Sequence, residues 1–152
     1  MTMTENEVLE MLLDIKEIQI DRFEVQGQSL HIHCSSVLEE ALCPQCLQKR
    51  QVINQTYVRE FRDLPIAGKE VYLHLSQRQF YCPGCDRHFN EHFNFVAPQR
   101  KMTRRYERYV YECCKASTIQ KVSTQENLVW QTVNQIYQQN ARKQLDRHPR
   151  SK

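Results

Sequence analysis

Apolar residues recur at two different periods along this chain, and the change of period divides it. Before about residue 97 they fall mainly at every second position, and beyond about residue 102 at every third or fourth. Ahead of the alternating runs, Thr4-x-x-Glu7 has the form of a capping box preceding Val8, Leu9, Met11, Leu12 and Leu13, which predicts a short helix over about 5–14. Ile18, Ile20, Phe23 and Val25 then alternate with polar residues, Gln26-Gly27-Gln28-Ser29 makes a turn, and Leu30, Ile32 and Cys34 alternate with His31 and His33. This pattern is a β-hairpin, with the two histidines exposed on the face opposite Cys34. Val52 to Phe61 reads as a polar-rich strand, Leu64-Pro65-Ile66-Ala67-Gly68 as a turn, and Val71, Leu73 and Leu75 through Gln79-Phe80-Tyr81 as the returning strand. Phe89, Phe93 and Phe95 follow, placed to cover this unit or to pack it on the next, and Pro98 marks a boundary.

In the helical half, Met102, Tyr106, Tyr109, Val110 and Cys113 line one face of a first helix, with Arg104, Arg105 and Arg108 opposite. Ser117 or Thr118 caps a second helix, Ile119 to about Glu126. Asn127-Leu128 turns the chain, since Asn tolerates a left-handed backbone. A third helix runs from Val129 to about Asn140, with Trp130, Val133, Ile136 and Tyr137 as its expected buried stripe. The spacing from Val122-Ser123 through Asn127-Leu128 to Val133 and Ile136 is that of a helix-turn-helix. The expected fold class is α+β: a β-hairpin and ribbon unit over 1–97, a three-helix unit over 98–141, and a basic tail over 142–152.

Composition favours two modest cores over one large one, because only 9% of residues are aromatic while 26% are charged. Four of the seven cysteines supply another source of stability. Cys43-Pro44-Gln45-Cys46 and Cys82-Pro83-Gly84-Cys85 each place two thiols at i, i+3, and the strand-turn-strand between them brings both pairs to one end of a hairpin. Four thiolates at about 2.3 Å from one ion make a closed, structural Zn²⁺ site. His88 and His92 are surplus to that set, and adjacent Cys113 and Cys114 read as core filler. An odd cysteine count, no recognisable cleavable signal and no long apolar run point to a reducing cytoplasm and away from a secreted scaffold or a membrane.

Charge is unevenly spread. Residues 1–47 carry nine acidic and two basic side chains, whereas residues 98–152 carry four acidic and twelve basic ones, a net of +8. Such a basic segment suits a polyanion. On the third helix, Gln131, Thr132, Asn134, Gln135, Gln138 and Gln139 form an outward face almost without charge. Amides can bond the adenine edge in a major groove, and the flanking Arg100, Lys101, Arg104, Arg105, Arg142 and Lys143 suit phosphates.

These motifs, in this order, resemble a known family. Cys43-Pro-x-Cys46, Phe61-Arg-Asp-Leu-Pro-Ile-x-Gly68, Val71-Tyr-Leu-His-Leu75, Arg78-x-Phe80-x-Cys82-Pro-x-Cys85 and Phe89-x-Glu91 are similar to the N-terminal zinc finger of insertion-sequence transposases of the ISL-three type. Val122-Ser-x-x-Glu126-Asn-Leu-x-Trp130-x-x-Val133-x-x-Ile136 resembles their helix-turn-helix, with Asn127 where glycine is usual. The resemblance implies binding of double-stranded DNA at transposon terminal repeats, association with the nucleoid, and a link to a full-length transposase whose activity such a chain would regulate. Family members continue into an RNase-H-like catalytic domain. Beyond Glu126 this sequence has one acidic residue, Asp146, so it is expected to bind DNA without cutting it. Cysteine spacing alone also fits a rubredoxin-like iron carrier, and the acidic N-terminal segment also fits a protein-interaction module.

Overall fold

The computed structural model describes residues 2–147, in the order α1 (Glu5–Leu13), β1 (Ile18–Gln26), β2 (Ser29–Ser36), β3 (Ala41–Leu42), β4 (Lys49–Arg50), β5 (Ile53–Ile66), β6 (Lys69–Cys82), β7 (Arg87–Asn90), α2 (Arg104–Ala116), α3 (Ile119–Glu126) and α4 (Trp130–Arg147). The protein is α+β, with a sheet and ribbon followed by three helices. Thr4 and Glu7 form the anticipated capping box of α1, and Asp14 ends that helix in the left-handed region.

Strand β6 is the spine. It pairs antiparallel with β5 along most of its length, while its other edge takes β2 in parallel and then β7 antiparallel. Side chains alternate across a strand, so β6 serves two cores. Val71, Leu73 and Leu75 enter the main core with Ile18, Ile20, Leu30, Ile32, Cys34 and Phe61, covered by Leu13 of α1 and by Phe93 and Val96. Phe80 and Cys82, at positions of the other parity, enter the ribbon core with Cys43 and Phe89.

Several expectations change here. The hairpin β1–β2 forms as expected, and β2 also joins β6 in parallel over Ser29–Ser35 against Glu70–Ser76. The turn expected over Leu64–Gly68 shrinks to Ala67 and Gly68, both with positive φ, because β5 continues through Ile66. Two consecutive left-handed residues match the right-handed twist of the flanking strands. His31 and His33 do lie opposite Cys34 but are half-buried rather than exposed, since His31 stacks on Tyr72 and His33 on His74. Phe89 covers the ribbon, stacked on Phe80, whereas Phe93 and Phe95 pack on the main core. Helix α4 extends through Arg147, so residues 142–147 are helical where a tail was expected; residues 148–152 lie outside the described residues.

Candidate metal centre and nucleic-acid interface

Each cysteine pair occupies the turn of its own small hairpin. Cys43–Cys46 sits between β3 and β4, and Cys82–Cys85 between the end of β6 and β7. In both, the residue after the second cysteine adopts a left-handed backbone, Leu47 at φ 61° and Asp86 at φ 51°. Leu47 N–H donates to the Cys43 carbonyl and Cys43 N–H to the Gln48 carbonyl, which closes the first turn.

The four sulfurs lie within 4.8 Å of one another. Cys43 Sγ is 3.9 Å from Cys85 Sγ, and Cys46 Sγ is 3.6 Å from Cys82 Sγ. A tetrahedron of thiolates around zinc has edges of about 3.8 Å, given metal–sulfur bonds of about 2.3 Å. The cage therefore fits one such ion. Cys43 and Cys82 are buried and Cys46 and Cys85 half-buried over the stacked Phe80 and Phe89. Burial works against the Cys82 thiolate, but donation from the Cys85 backbone and the Arg50 guanidinium prevails and brings it down to about 6. Cys85 goes the other way, up to about 12, through burial among the other three sulfurs. Four thiolates this close need a cation to ionise together.

Arg50 is a feature the spacing of the cysteines did not reveal. Its Nε donates to Cys82 Sγ at 3.2 Å and its Nη2 to Cys46 Sγ at 3.8 Å, one sulfur from each knuckle. Gly84 leaves room for it, because a Cβ there would stand 3.0 Å from Arg50 Nη2. His88 and His92 lie on the surface, outside the sulfur cluster.

The helices pack around Tyr106, Val110, Cys114, Val122, Val133 and Ile136. Thr118 caps α3, accepting from Lys121 N–H. Asn127 ends α3 at φ 54°, ψ 50°, its N–H returning to the carbonyls of Ser123 and Thr124, and Leu128 N–H also bonds Ser123 O. Asn127 thus fills the left-handed turn position expected of it. Cys114 is buried and Cys113 half-buried in this core.

Trp130 is the one member of the expected stripe that the structure moves. Val133 and Ile136 are buried and Tyr137 is half-buried, but Trp130 is 45% exposed. It is the first residue of α4, a turn before the core begins, and Leu128 fills the space beside α3 in its place. On the outward side, Gln131, Gln135, Gln138 and Gln139 are exposed, while Thr132 and Asn134 are half-buried.

The expected phosphate contacts divide into two groups. Lys101, Arg142 and Lys143 are exposed and have no ion pair among the described residues; Arg104, also exposed, donates through Nε to Asn94 O. A cleft of about 380 Å³ between α2 and α4 is lined by Arg104, Arg105, Arg108 and Lys143 together with Glu107 and Glu112. Arg100 and Arg105 are committed to the fold. Arg100 pairs with Glu107 at 2.8 Å, and Arg105 grips Asp63, which is fully buried, with Nε at 2.9 Å and Nη2 at 2.6 Å.

The helical unit is tied to the sheet through residues that look unremarkable in sequence. Arg62 N–H donates to Lys101 O and Thr103 N–H to Arg62 O, so residues 101–103 lie along the edge of β5. Thr103 Oγ1 donates to Asp63. Arg62 lies between the rings of Tyr72 and Tyr106 and reaches Glu126, whose carboxylate accepts from the hydroxyls of Tyr106 and Tyr109. Burial pushes the Tyr106 phenol up, which keeps it a donor.

Known proteins share both halves. Residues 39–85 match the zinc-finger of transposase IS204/IS1001/IS1096/IS1165, and residues 91–139 match the helix-turn-helix domain of transposase family ISL3. A transposase for insertion sequence element IS1001 from Bordetella parapertussis is 28% identical over 110 residues, which is 72% of this chain and 27% of that protein's length. No solved structure matches. No helix among the described residues is long and apolar enough to cross a membrane. Two family matches in the same order as the observed ribbon and helix-turn-helix lead to one conclusion: over residues 39–139 the chain carries the zinc-ribbon and helix-turn-helix regions of ISL3-type transposases.

Proposed function

We propose that this chain is a sequence-specific DNA-binding unit of a transposase, recognising the terminal repeats of its insertion element. Helix α4 enters the major groove with Gln131, Gln135 and Gln138 toward the base edges and Thr132 and Asn134 at the margin. Lys101, Arg104, Arg142 and Lys143 meet phosphates, while Arg100 and Arg105 act through the fold by holding Glu107 and Asp63. The observation that carries this reading is the uncharged amide face of α4, raised on a helix-turn-helix and flanked by exposed cations.

Cys43, Cys46, Cys82 and Cys85 hold a Zn²⁺ whose part is structural: four thiolates fill a tetrahedral shell and leave no position for substrate. Zinc gives a colourless protein, so visible absorption by the purified chain would overturn this assignment in favour of iron. A reducing, nucleoid-containing cytoplasm suits both the thiolate cage and the proposed DNA partner. The two matched regions are a zinc-finger and a helix-turn-helix, neither of them the part of a transposase that cuts DNA, which supports a binding role for this chain. Bound alone, the chain occupies transposon ends without cutting them and competes there with full-length transposase. An electrophoretic shift with the zinc-loaded chain tests the reading. Preference for terminal repeats over random duplex by a factor of about 10³ or more supports it, and equal affinity for the two removes the claim of specificity.

A further inference from the structure

Val129, the residue just before α4, and Trp130, its first residue, stand at the start of the helix that faces DNA in the reading above and are 67% and 45% exposed. A lone exposed apolar residue needs no explanation, but two together at this place do. They are followed by the exposed amides of Gln131 and Gln135, one helical turn apart on the same face. From Trp130 to Ala141 the helix carries no charged side chain at all.

The major groove offers chemically distinct edges. Guanine is read chiefly by Arg or Lys at O6 and N7, adenine by Asn or Gln at N6 and N7, and thymine by apolar contact with its C5 methyl group. The first three turns of α4 hold readers of the second and third kinds and none of the first. In helix-turn-helix docking, the N-terminal residues of the second helix come closest to the bases. We infer that α4 reads a block of A·T pairs, with Val129 and Trp130 against thymine methyl groups and Gln131 and Gln135 on the neighbouring adenines.

This inference rests on the proposed docking of α4 in the major groove. Charge favours DNA over a second copy of the chain as the occupant of the patch. The segment from residue 98 onward carries a net charge of +8, which attracts a polyanion and repels the same segment of a second copy.

The experiment selects duplexes from a random pool with the full zinc-loaded chain, then replaces thymine by deoxyuracil in the selected site. That change removes the methyl group and leaves the pairing edges intact. The selected site is expected to contain an A·T block, and affinity to fall on the order of fourfold for each contacted methyl group removed. Trp130→Ala, a change at an exposed position, is expected to bind the thymine and deoxyuracil duplexes more nearly alike. A selected site without an A·T block, or one whose affinity ignores the deoxyuracil exchange, overturns the inference and leaves specific DNA binding standing. Selection that returns no shared sequence overturns both.

Discussion

Replacing Arg62 tests how the sheet and the helices are joined. Arg62 is 6% exposed and Glu126 5%. The Arg62 guanidinium donates to the Glu126 backbone carbonyl at 2.8 Å and lies 3.9 Å from both the Glu126 and the Glu70 carboxylates. At that separation a unit charge pair interacts by about 4 kcal/mol at an effective dielectric of about 20. Desolvation of the two ions offsets most of this, so the intact pair adds little net stability. Removing one partner is different, because the other charge stays buried, at a cost of about 3–5 kcal/mol. Arg62→Met, which preserves much of the volume between Tyr72 and Tyr106, should therefore lose about that much. Glu126→Gln should lose a comparable amount, and the double variant clearly less than the sum of the two. Urea unfolding at fixed zinc concentration measures all three. If the double variant equals the sum within about 0.5 kcal/mol, the pair is not coupled and the account of the junction is wrong. Arg62 Nε has no partner in this site, so the surroundings do not satisfy the guanidinium fully, which favours tolerance of a well-packed apolar pair there.

Other perturbations address the metal, the acid response and the turn. Arg50→Ala should lower metal affinity by about 10–100-fold while leaving one ion per chain at saturation, whereas Cys82→Ser should abolish stoichiometric binding; competition with a chromophoric chelator separates the two. Burial, then repulsion from His33, holds the His74 imidazole below its usual 6.5, with Glu60 and Glu24 opposing. The unfolded chain therefore takes up this proton at higher pH than the folded one, so its contribution is complete above about pH 6.5 and is lost as pH falls through the folded value. Urea midpoints taken between about pH 7.5 and 5 should accordingly fall less steeply for His74→Gln than for the parent; identical slopes would remove His74 from the acid response. Asn127→Ala should cost about 1 kcal/mol at its left-handed position and Asn127→Gly should cost nothing, as read by thermal unfolding.

Local signals in the chain were easy to read, and long-range ones were not. Thr4 and Glu7, the alternation of Leu30, Ile32 and Cys34, and the knuckle spacing each act over a few residues, so they show in sequence. The left-handed position of Asn127 shows for the same reason. The parallel pairing of β2 with β6 depends on segments about 40 residues apart, and nothing in either strand's alternation names its partner. Buried charges were hidden too. Asp63, Arg62 and Glu126 sit in ordinary polar surroundings in sequence, and only the fold shows that each is neutralised by a residue on another element. Arg50 gives no sign of its role in sequence, where a strand cation beside a knuckle looks like solvated surface. Trp130 keeps the i, i+3, i+6 rhythm of Val133 and Ile136, which predicts burial, yet it falls a turn before the core begins. Its exposure is where the pattern fails.

Binding by wild type and by Gln131→Ala/Gln135→Ala, each titrated onto terminal-repeat and random duplexes at one salt concentration, tests most directly whether α4 reads sequence. Both exchanged residues are exposed, so folding and metal content should not change. Affinity for random duplex is predicted to stay within about twofold, since the Lys and Arg contacts to phosphate remain. Preference for the terminal repeats is predicted to fall by at least about tenfold, each lost amide–adenine pair accounting for about 1–3 kcal/mol. A preference that survives the double exchange, or a loss shared equally by both duplexes, would contradict the assignment of α4 as the reading helix.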